Sequence, residues 1–296
     1  MGKKLRSAVV GVGYLGTFHA QKHKNNSLVD FKGVFDVYAP QAQKVAESLG
    51  VKAYTQLQSL VGEVDLVTVA STTQSHFEIC EFLLNSGIHV NVEKPITAEV
   101  HQAEKLIALA KKNNLKLSVG HIERFNPVFK KWNELKSKTP KFMELYRMGP
   151  FKERGTDVSV LHDLMIHDMD LVSSLNVGEL KKVQVEGQIV KSKTHDWAVA
   201  FLEYSSGFNC MIKASRVSPV VRREIWADEW FLNLGQIELE KLTTSEKISI
   251  DKVDALQVET DLFIDSVRNN TTAPVSGEAG LLALINVEKV YQALCK

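Results

Sequence analysis

The first structured segment of the chain joins an apolar strand to a closely spaced glycine pattern, and this combination restricts the fold more than any other feature. Gly11, Gly13 and Gly16 form the sequence Gly-x-Gly-x-x-Gly, and Tyr14 and Leu15 lie between the last two glycines. The first glycine permits a tight turn, the second lets backbone amides approach a pyrophosphate, and the third allows the next helix to pack closely on the sheet. With a strand before it and a helix after it, the pattern predicts a dinucleotide-binding turn formed by these five residues.

An acidic residue, Asp36, follows Gly16 by 20 residues at the predicted end of the second strand. A carboxylate in that position accepts hydrogen bonds from both ribose hydroxyls of adenosine and repels a 2′-phosphate. The residues from Val37 to Pro40 include no Arg or Lys that would neutralise such a phosphate. The sequence therefore favours NAD over NADP as the cofactor.

Composition argues against several classes of function. The 296 residues are enough for two domains, and 44% hydrophobic with 24% charged residues is ordinary for a globular protein. A formal net charge of +1 argues against a surface for polyanions, so we expect no nucleic-acid partner. No apolar run approaches the roughly 18 residues of a membrane span, so we expect no membrane insertion.

The cysteines and the first residues indicate a cytoplasmic protein. Cys80, Cys210 and Cys295 are odd in number and widely separated, without a Cys-x-x-Cys pair, which is typical of reduced thiols. The chain passes into its predicted first strand without the apolar stretch of a signal peptide. We therefore expect a cytoplasmic location.

The order of predicted elements divides the chain into two domains. Over residues 1–120, short apolar strands alternate with helices, which predicts an α/β domain with a doubly wound parallel sheet, the Rossmann arrangement. After residue 121, helices near 124–135 and 158–175 are followed by strands in quick succession over 182–233. Residues 121–296 are therefore predicted to form an α+β domain, with a large, mostly antiparallel sheet, for substrate binding and oligomerisation. This division allows the C-terminal helix to pack back on the first domain.

Polar residues follow two predicted strands of the first domain, where ligands bind in doubly wound sheets. Ser71 and Thr72 open a helix after the fourth strand, and we expect them to contact the cofactor. Glu93 and Lys94 end the fifth strand, and we expect both to contact the cofactor, with Lys94 near the nicotinamide. A lysine there can polarise or deprotonate a substrate hydroxyl, although an ordinary surface lysine is the alternative.

The densest polar cluster of the sequence lies within an apolar helix, over residues 162–170. Asp163 and His167 are four residues apart and so project from one face, as a base oriented by its carboxylate requires. The alternatives are helix capping and a metal site like that of metal-dependent phosphohydrolases. A metal site needs further His and Asp residues on neighbouring helices, whereas this domain is strand-rich, so we predict no metal.

Taken in order, the glycine turn, Glu93-Lys94-Pro95 and the Asp163-x-x-x-His167 helix resemble the Gfo/Idh/MocA oxidoreductases along essentially the whole chain. The resemblance implies NAD(P)-dependent oxidation of a CH–OH group by hydride transfer. It also implies that Lys94, Asp163 and His167 line the substrate pocket beside the nicotinamide, and that His76 lies near the cofactor.

Two stretches, residues 119–127 and 158–170, are similar to the branch of this family that oxidises UDP-N-acetylglucosamine at carbon 3. In that branch the 3-keto product passes to a pyridoxal-phosphate aminotransferase, which yields a 2,3-diamino sugar for lipid A. His162 departs from the pattern, which has an apolar residue there. Another sugar, a UDP-uronic acid or inositol remains an alternative substrate, and a non-catalytic NAD-binding regulator is an alternative of another class.

We expect the substrate to lie between the nicotinamide and the open face of the antiparallel sheet. Arg124 and Asn126 are predicted to bind its diphosphate, since arginine suits bidentate phosphate contacts. Arg154, Arg222 and Arg223 offer further donors. Lys94 and His167 are predicted to share the hydroxyl proton while Asp163 orients His167. An exposed apolar sheet favours pairing between subunits, so the strands over 183–190 and 208–214 predict a homodimer or homotetramer.

Overall fold

The computed structural model describes residues 4–153, 155–156 and 158–296. It contains two compact units, one extending to Ile122 and including Leu256–Leu281, and the other formed by Glu123–Ala255 and Leu282–Lys296. The predicted division assigned everything from residue 121 onward to the second domain, with only the last helix allowed to pack back. In the structure, residues 256–281 group with the first unit.

The first unit contains a six-stranded parallel sheet, as predicted from the alternation of strands and helices. Its strand order is β3-β2-β1-β4-β5-β6, so the order reverses between β1 and β4, where doubly wound sheets bind their ligands. The strands are β1 (Leu5–Val10), β2 (Val29–Phe35), β3 (Lys52–Tyr54), β4 (Leu66–Val69), β5 (His89–Glu93) and β6 (Leu117–Gly120). The helices between them are α1 (Tyr14–Asn25), α2 (Ala39–Leu49), α3 (Thr73–Asn85) and α4 (Val100–Lys112).

The second unit contains an eight-stranded sheet in the order β14-β13-β12-β11-β7-β10-β9-β8. β7 and β10 pair in parallel and the other neighbours are antiparallel, which confirms the mostly antiparallel prediction. The strands are β7 (Phe142–Met148), β8 (Leu180–Gln188), β9 (Trp197–Tyr204), β10 (Asn209–Ser215), β11 (Arg222–Ala227), β12 (Trp230–Asn233), β13 (Glu238–Lys241) and β14 (Glu246–Ile248). The sequence did not predict β13 and β14, because their largely charged residues give little apolar alternation.

A helical layer covers one face of this second sheet. It includes α5 (Pro127–Leu135), a π-helical turn over Leu161–Met165, and α6 (Ile166–Ser173). α7 (Ala255–Arg268) and α8 (Gly277–Leu294) close the chain, and Ala283, Val287 and Val290 of α8 join the core of the second unit. No helix among the described residues is both long enough and apolar enough to span a lipid bilayer.

The other face of the second sheet is open and partly apolar. Phe201 of β9, Met211 of β10, Trp226 of β11 and Phe231 of β12 lie in one row across the strands, with Glu144 of β7 between them. The Trp226 and Phe231 rings are 4.5 Å apart, and Phe201 is 52% exposed. The sheet therefore has one helix-covered face and one face with a row of uncovered aromatic side chains.

We expect Gly16→Ala to lower the free energy of unfolding by about 2 to 3 kcal/mol. A Cβ at Gly16 would lie 1.8 Å from the carbonyl oxygen of Gly11, which is backbone and cannot yield without opening the turn. Gly13→Ala is the matched control, because among the described residues a Cβ there meets nothing within 4 Å. Denaturant unfolding compares the two variants, and equal stabilities would contradict the packing role of Gly16.

Candidate functional site

The glycine turn and Asp36 form one hydrogen-bonded unit at the carboxyl ends of β1 and β2. Asp36 Oδ2 accepts a hydrogen bond from the Val12 amide at 2.7 Å, and Oδ1 accepts one from the Tyr38 amide at 2.9 Å. A carboxylate has about four acceptor positions, so Asp36 has the capacity to bind ribose hydroxyls as well. The structure therefore brings the predicted acidic residue directly onto the predicted turn.

The turn also fits the pyrophosphate of a dinucleotide. Gly13 precedes α1, whose first turn carries no acidic side chain, so the positive end of the helix dipole is not neutralised locally. The absence of a Cβ at Gly13 leaves open space beside these amides. Gly11 has a φ of +79°, and its Cα packs on the backbone of Ser71, where an added Cβ would lie 2.5 Å from the Ser71 nitrogen. Tyr14, at the start of α1, is 69% exposed.

The segment after β4 lies beside this turn and is tied to the segment after β5 by His76. Ser71 Oγ accepts a hydrogen bond from Ser75 Oγ at 2.8 Å, and Thr72 is the residue before α3. The His76 ring is buried, with Nδ1 2.9 Å from the Pro95 carbonyl oxygen and Nε2 3.3 Å from that of Ser71. Burial lowers the pKa of His76, so the ring is neutral, and Nδ1–H donates to the closer carbonyl. His76 thus joins the two strand ends predicted to meet the cofactor.

Lys94 is half-buried directly after β5, and its backbone is held by the preceding side chain. The Lys94 amide donates a hydrogen bond to Glu93 Oε2 at 3.1 Å. The other Glu93 oxygen lies 2.7 Å from His19 Nε2, and the His19 side chain is fully buried. Gly120 of β6 leaves room for this carboxylate, since a Cβ there would lie 3.1 Å from Glu93 Cδ. The position of Glu93 is therefore defined from three directions.

A second buried carboxylate, Glu259 of α7, adjoins this pair. Glu259 Oε1 accepts a hydrogen bond from Asn91 Nδ2 at 3.2 Å, and His19, Glu93 and Glu259 each place one polar atom within 4.8 Å of the others. Burial, with the nearby negative charge of Glu93, raises the pKa of Glu259 to about 7. Burial opposes the charged form of both groups. The hydrogen bond between His19 and Glu93 nevertheless raises the pKa of His19 and lowers the pKa of Glu93. The three groups therefore influence one another's charge, and we call them, together with Asn91, the β5 cluster.

His19, Asn91 and Glu259 were not predicted from the sequence. A signal for His19 was present, because the buried residues of α1 are Gly16, His19, Ala20 and His23, which follow helical spacing. An ionisable residue on such a stripe must find a polar partner, since an unpaired buried charge is costly. The sequence did not show that Glu93 is the partner of His19, because Glu93 lies on another element.

In the second unit, Asp163 and His167 occur where the helix is irregular. Asp163 lies in the π-helical turn Leu161–Met165, and His167 lies in the first turn of α6. Ser159 starts this segment, because its Oγ accepts a bond from the Leu161 amide at 3.3 Å and its carbonyl accepts one from the Asp163 amide at 3.1 Å. Both candidate residues are half-buried. The sequence predicted one regular helix over 158–175; π-helical turns occur frequently at functional sites.

The loop before this turn approaches Asp163 closely and is held by a buried ion pair. A Cβ on Gly155 would lie 2.8 Å from Asp163 Oδ2. Arg216 donates hydrogen bonds to the carbonyls of Gly155 and Val158, and its Nε lies 2.9 Å from Asp196 Oδ1. Asp196 Oδ2 in turn accepts three backbone amide bonds, from residues 190, 191 and 192. Arg216 and Asp196, which support the backbone around Asp163, were not predicted from the sequence.

Arg124 and Asn126, the predicted diphosphate donors, make defined contacts within the second unit. Arg124 forms a bidentate pair with Asp170, with both N–O distances at 2.7 Å. Asn126 caps α5 by accepting a bond from the Val128 amide and donates to Glu123 Oε2 at 3.2 Å. These contacts hold both side chains in place, and their assignment to phosphate binding stays a prediction.

The other predicted arginines occupy different surroundings. Arg222 lies on the open face, where its guanidinium stacks on the Tyr146 ring at 3.8 Å and pairs with Glu224. Arg223 Nη2 is 3.6 Å from Glu123 Oε1. Arg154 lies outside the described residues.

The open face does not fit the expected substrate position. Asp163 and His167 belong to the helical layer, whose apolar side chains Leu161, Met165 and Ile166 pack into the core on the other side of the sheet. A substrate on the open face would be separated from both residues by the sheet, so this expectation was wrong. His162, the departure noted in the sequence, pairs with Glu288 at 2.7 Å.

Comparison with known proteins identifies the family. Residues 5–121 match the model of the oxidoreductase family with an NAD-binding Rossmann fold, and residues 130–229 match the GFO/IDH/MocA C-terminal domain. The chain belongs to the Gfo/Idh/MocA family of oxidoreductases. The first unit is thus an NAD-binding Rossmann domain, and the family resemblance seen in the motifs is confirmed.

Individual relatives give a more detailed comparison. The chain is 32% identical to a UDP-N-acetylglucosamine 3-dehydrogenase from Acidithiobacillus ferrooxidans, over 98% of both chains. A solved structure of that enzyme superposes with a TM-score of 0.94 at 31% identity, covering 99% of this chain and 98% of the other. A myo-inositol 2-dehydrogenase from Thermotoga maritima is 26% identical over 95% of this chain and 93% of its own length.

We expect Glu259 and His19 of the β5 cluster to lower folding stability as pH rises from about 5 to 7, against the opposite contribution of buried His23 and His76, whose pKa values are lowered. Across this range the folded chain keeps a proton on Glu259, with a pKa of about 7, that the unfolded chain releases near its ordinary value of 4.5. One such proton changes the free energy of unfolding by up to about 1.4 kcal/mol per pH unit. His19 acts in the same direction, because its raised pKa stabilises the fold below 6.5 and that contribution is lost at higher pH.

Glu259→Gln removes the titration and preserves the size of the side chain, so its unfolding free energy should rise relative to that of the wild type between pH 5 and 7. Glu104→Gln, at an exposed position of α4, is the control and should leave the slope of unfolding free energy against pH unchanged. Denaturant unfolding at pH 5, 6, 7 and 8 makes the comparison. Parallel curves for the wild type and Glu259→Gln would contradict a protonated Glu259.

Proposed function

We propose that this oxidoreductase uses NAD to oxidise the C3 hydroxyl of UDP-N-acetylglucosamine to a ketone. The observation that carries the proposal is the presence of Lys94 after β5 and of Asp163 with His167 at the π-helical turn, in a chain with this relative. These are the side chains needed to hold and move a hydroxyl proton next to a hydride acceptor.

The preference for NAD over NADP rests on Asp36. Its carboxylate is held at the glycine turn by the amides of Val12 and Tyr38, so its negative charge stays where a 2′-phosphate would have to bind. The exposed residues that follow, Val37 and Tyr38, carry no positive charge to offset it. An additional phosphate would therefore meet uncompensated repulsion.

The proposed chemistry divides between cofactor and protein. NAD, when bound, accepts the hydride from carbon 3 of the sugar. Lys94 Nζ and a ring nitrogen of His167 share the proton of the reacting hydroxyl, and Asp163 orients His167.

The diphosphate of the substrate is proposed to bind Arg124, with Asn126 assisting. A guanidinium has five N–H donors, so the bidentate bond to Asp170 is compatible with a further phosphate contact. The fully buried Asp170 also fixes the plane of the guanidinium, which reduces the entropy lost when an anion binds.

Of three alternatives, two keep the same chemistry and one loses it. The inositol dehydrogenase relative supports a free polyol as the second candidate substrate, and a UDP-uronic acid is a third. A non-catalytic NAD-binding regulator is disfavoured, because Lys94, Asp163 and His167 are all present.

The proposed partners follow from the product and from the open face. A 3-keto sugar is a substrate for amination, so we propose that a pyridoxal-phosphate aminotransferase consumes it. The uncovered aromatic row of the second sheet supports a homodimer or homotetramer. We place the enzyme in the cytoplasm, where NAD and UDP-sugars are available and where free thiols such as those of Cys80, Cys210 and Cys295 persist.

The function is tested by mixing the protein with NAD and UDP-N-acetylglucosamine, with hydroxylamine to trap the ketone, and following NADH absorbance. We expect Lys94→Ala and His167→Ala to lower kcat by about a thousandfold, because each removes a group that handles the reacting proton. NADP should give a much lower rate than NAD. Lys112→Ala, at an exposed position of α4, is the control for loss of a positive charge.

A wild-type protein that binds NAD and produces no NADH with this sugar would overturn the substrate assignment, and inositols and UDP-uronic acids would then be assayed. Activity retained by Lys94→Ala would overturn the proposed site.

We expect Phe201→Glu on the open face to convert the oligomer to smaller species, because it places a charge within the aromatic row. Light scattering coupled to gel filtration measures the mass. Val61→Glu is the control, since Val61 is a similarly exposed apolar residue of the first unit. A wild-type monomer, or an unchanged mass for Phe201→Glu, would contradict this interface.

A further inference from the structure

The dinucleotide turn and Lys94 are connected by a short chain of buried contacts. α1 begins at Tyr14, directly after the glycine turn, and His19 lies in its second turn. His19 Nε2 meets Glu93 Oε1 at 2.7 Å, and Glu93 Oε2 accepts the Lys94 amide bond at 3.1 Å. The Glu93 carboxylate thus contacts His19 of α1 through one oxygen and accepts the Lys94 amide hydrogen bond on the other.

This carboxylate has little freedom to reorient. The Glu93 side chain is 10% exposed and that of His19 is fully buried, so water cannot readily replace either partner. The backbone of Gly120 packs against the carboxyl group from the neighbouring strand, at a distance that an added Cβ would reduce to 3.1 Å. Glu259 adds a further carboxyl group from α7. A shift of His19 must therefore move Glu93, and with it the amide of Lys94.

His23 shows that burial on α1 alone does not create this connection. It lies one turn after His19 on the same stripe and is equally buried. Its Nε2 is 2.9 Å from Thr68 Oγ1 of β4, so its hydrogen bond goes to a neutral hydroxyl. Burial lowers the pKa of His23 to about 3, whereas the pKa of His19 is raised. The two histidines thus differ in partner and in the direction in which their pKa values are shifted.

We propose that His19 is a positioning residue, which acts through Glu93 to place Lys94 and couples that placement to occupancy of the dinucleotide turn. This inference rests on the proposed function only in assigning the proton transfer to Lys94. His19 itself touches neither the reacting hydroxyl nor the hydride acceptor in this scheme.

The kinetic test compares His19→Leu with His19→Gln. Leucine removes the donor and leaves Glu93 Oε1 without its hydrogen-bond partner, whereas the glutamine side chain can bring an amide nitrogen near the place of Nε2. We expect His19→Leu to lower kcat at least about tenfold, because small displacements of a reacting group cost this much or more, while KM for NAD changes less than about threefold. His19→Gln should recover most of kcat, and His23→Leu, the matched control, should retain it.

A second measurement does not depend on turnover. The Lys94 amide in ¹H–¹⁵N NMR spectra reports its hydrogen bond to Glu93. We expect its proton resonance to move upfield in His19→Leu, to stay in place in His23→Leu, and to shift in the wild type when NAD is added. Gly120→Ala presses on Glu93 without altering any ionisable group, and should move the same resonance if His19→Leu does not fold.

The outcomes separate this inference from the proposed function. Equal losses of kcat in His19→Leu and His23→Leu, or no recovery in His19→Gln, would overturn the positioning role and reduce His19 to a stabilising residue. An unmoved Lys94 amide in His19→Leu would overturn it as well. Full activity of Lys94→Ala would instead overturn the proposed function, whatever the result at His19.

Discussion

The arrangement at the end of β5 depends on one buried carboxylate. Moving Glu93 out of water is costly unless its charge is paired and its oxygens are hydrogen-bonded, and the fold supplies both through His19 and the Lys94 amide. This requirement acts on more than the site. It gives His19, on the buried stripe of α1, a partner on β5, and it favours a glycine at position 120 of β6, where a side chain would crowd the carboxyl group.

The parts of the first unit that the sequence predicts are local in the chain. A few consecutive residues are enough to recognise the glycine turn, the acid at the end of β2 and the polar ends of β4 and β5, because turn geometry and strand alternation are local properties. The β5 cluster was missed for the opposite reason. His19 and Glu93 are 74 residues apart, and Asn91 and Glu259 are 168 apart, so only the folded sheet brings them together.

In the second unit, the types of individual residues predicted side-chain contacts less well than the strand and helix pattern predicted the fold. Arg124 was predicted to bind phosphate because arginine suits that anion. Its guanidinium also pairs with Asp170, and the sequence could not place Asp170 beside it. The π-helical turn at Asp163 inserts one extra residue into a helical segment, a change too small to alter apolar periodicity. The substrate was expected on the wrong face because an uncovered sheet was taken as a binding surface. The sequence did not show which side of the sheet carries Asp163.

Both units place buried ion pairs beside half-buried candidate residues. Arg216 and Asp196 hold the loop against Asp163 in the second unit, as His19 and Glu93 hold the backbone of Lys94 in the first. Such pairs are weak sources of stability, since desolvation offsets most of their attraction, and an apolar pair of the same volume would often stabilise the fold as well. An apolar pair would not direct a backbone amide or carbonyl, however. The directional bonds of these charged groups therefore account for their position next to the candidate side chains better than stability does.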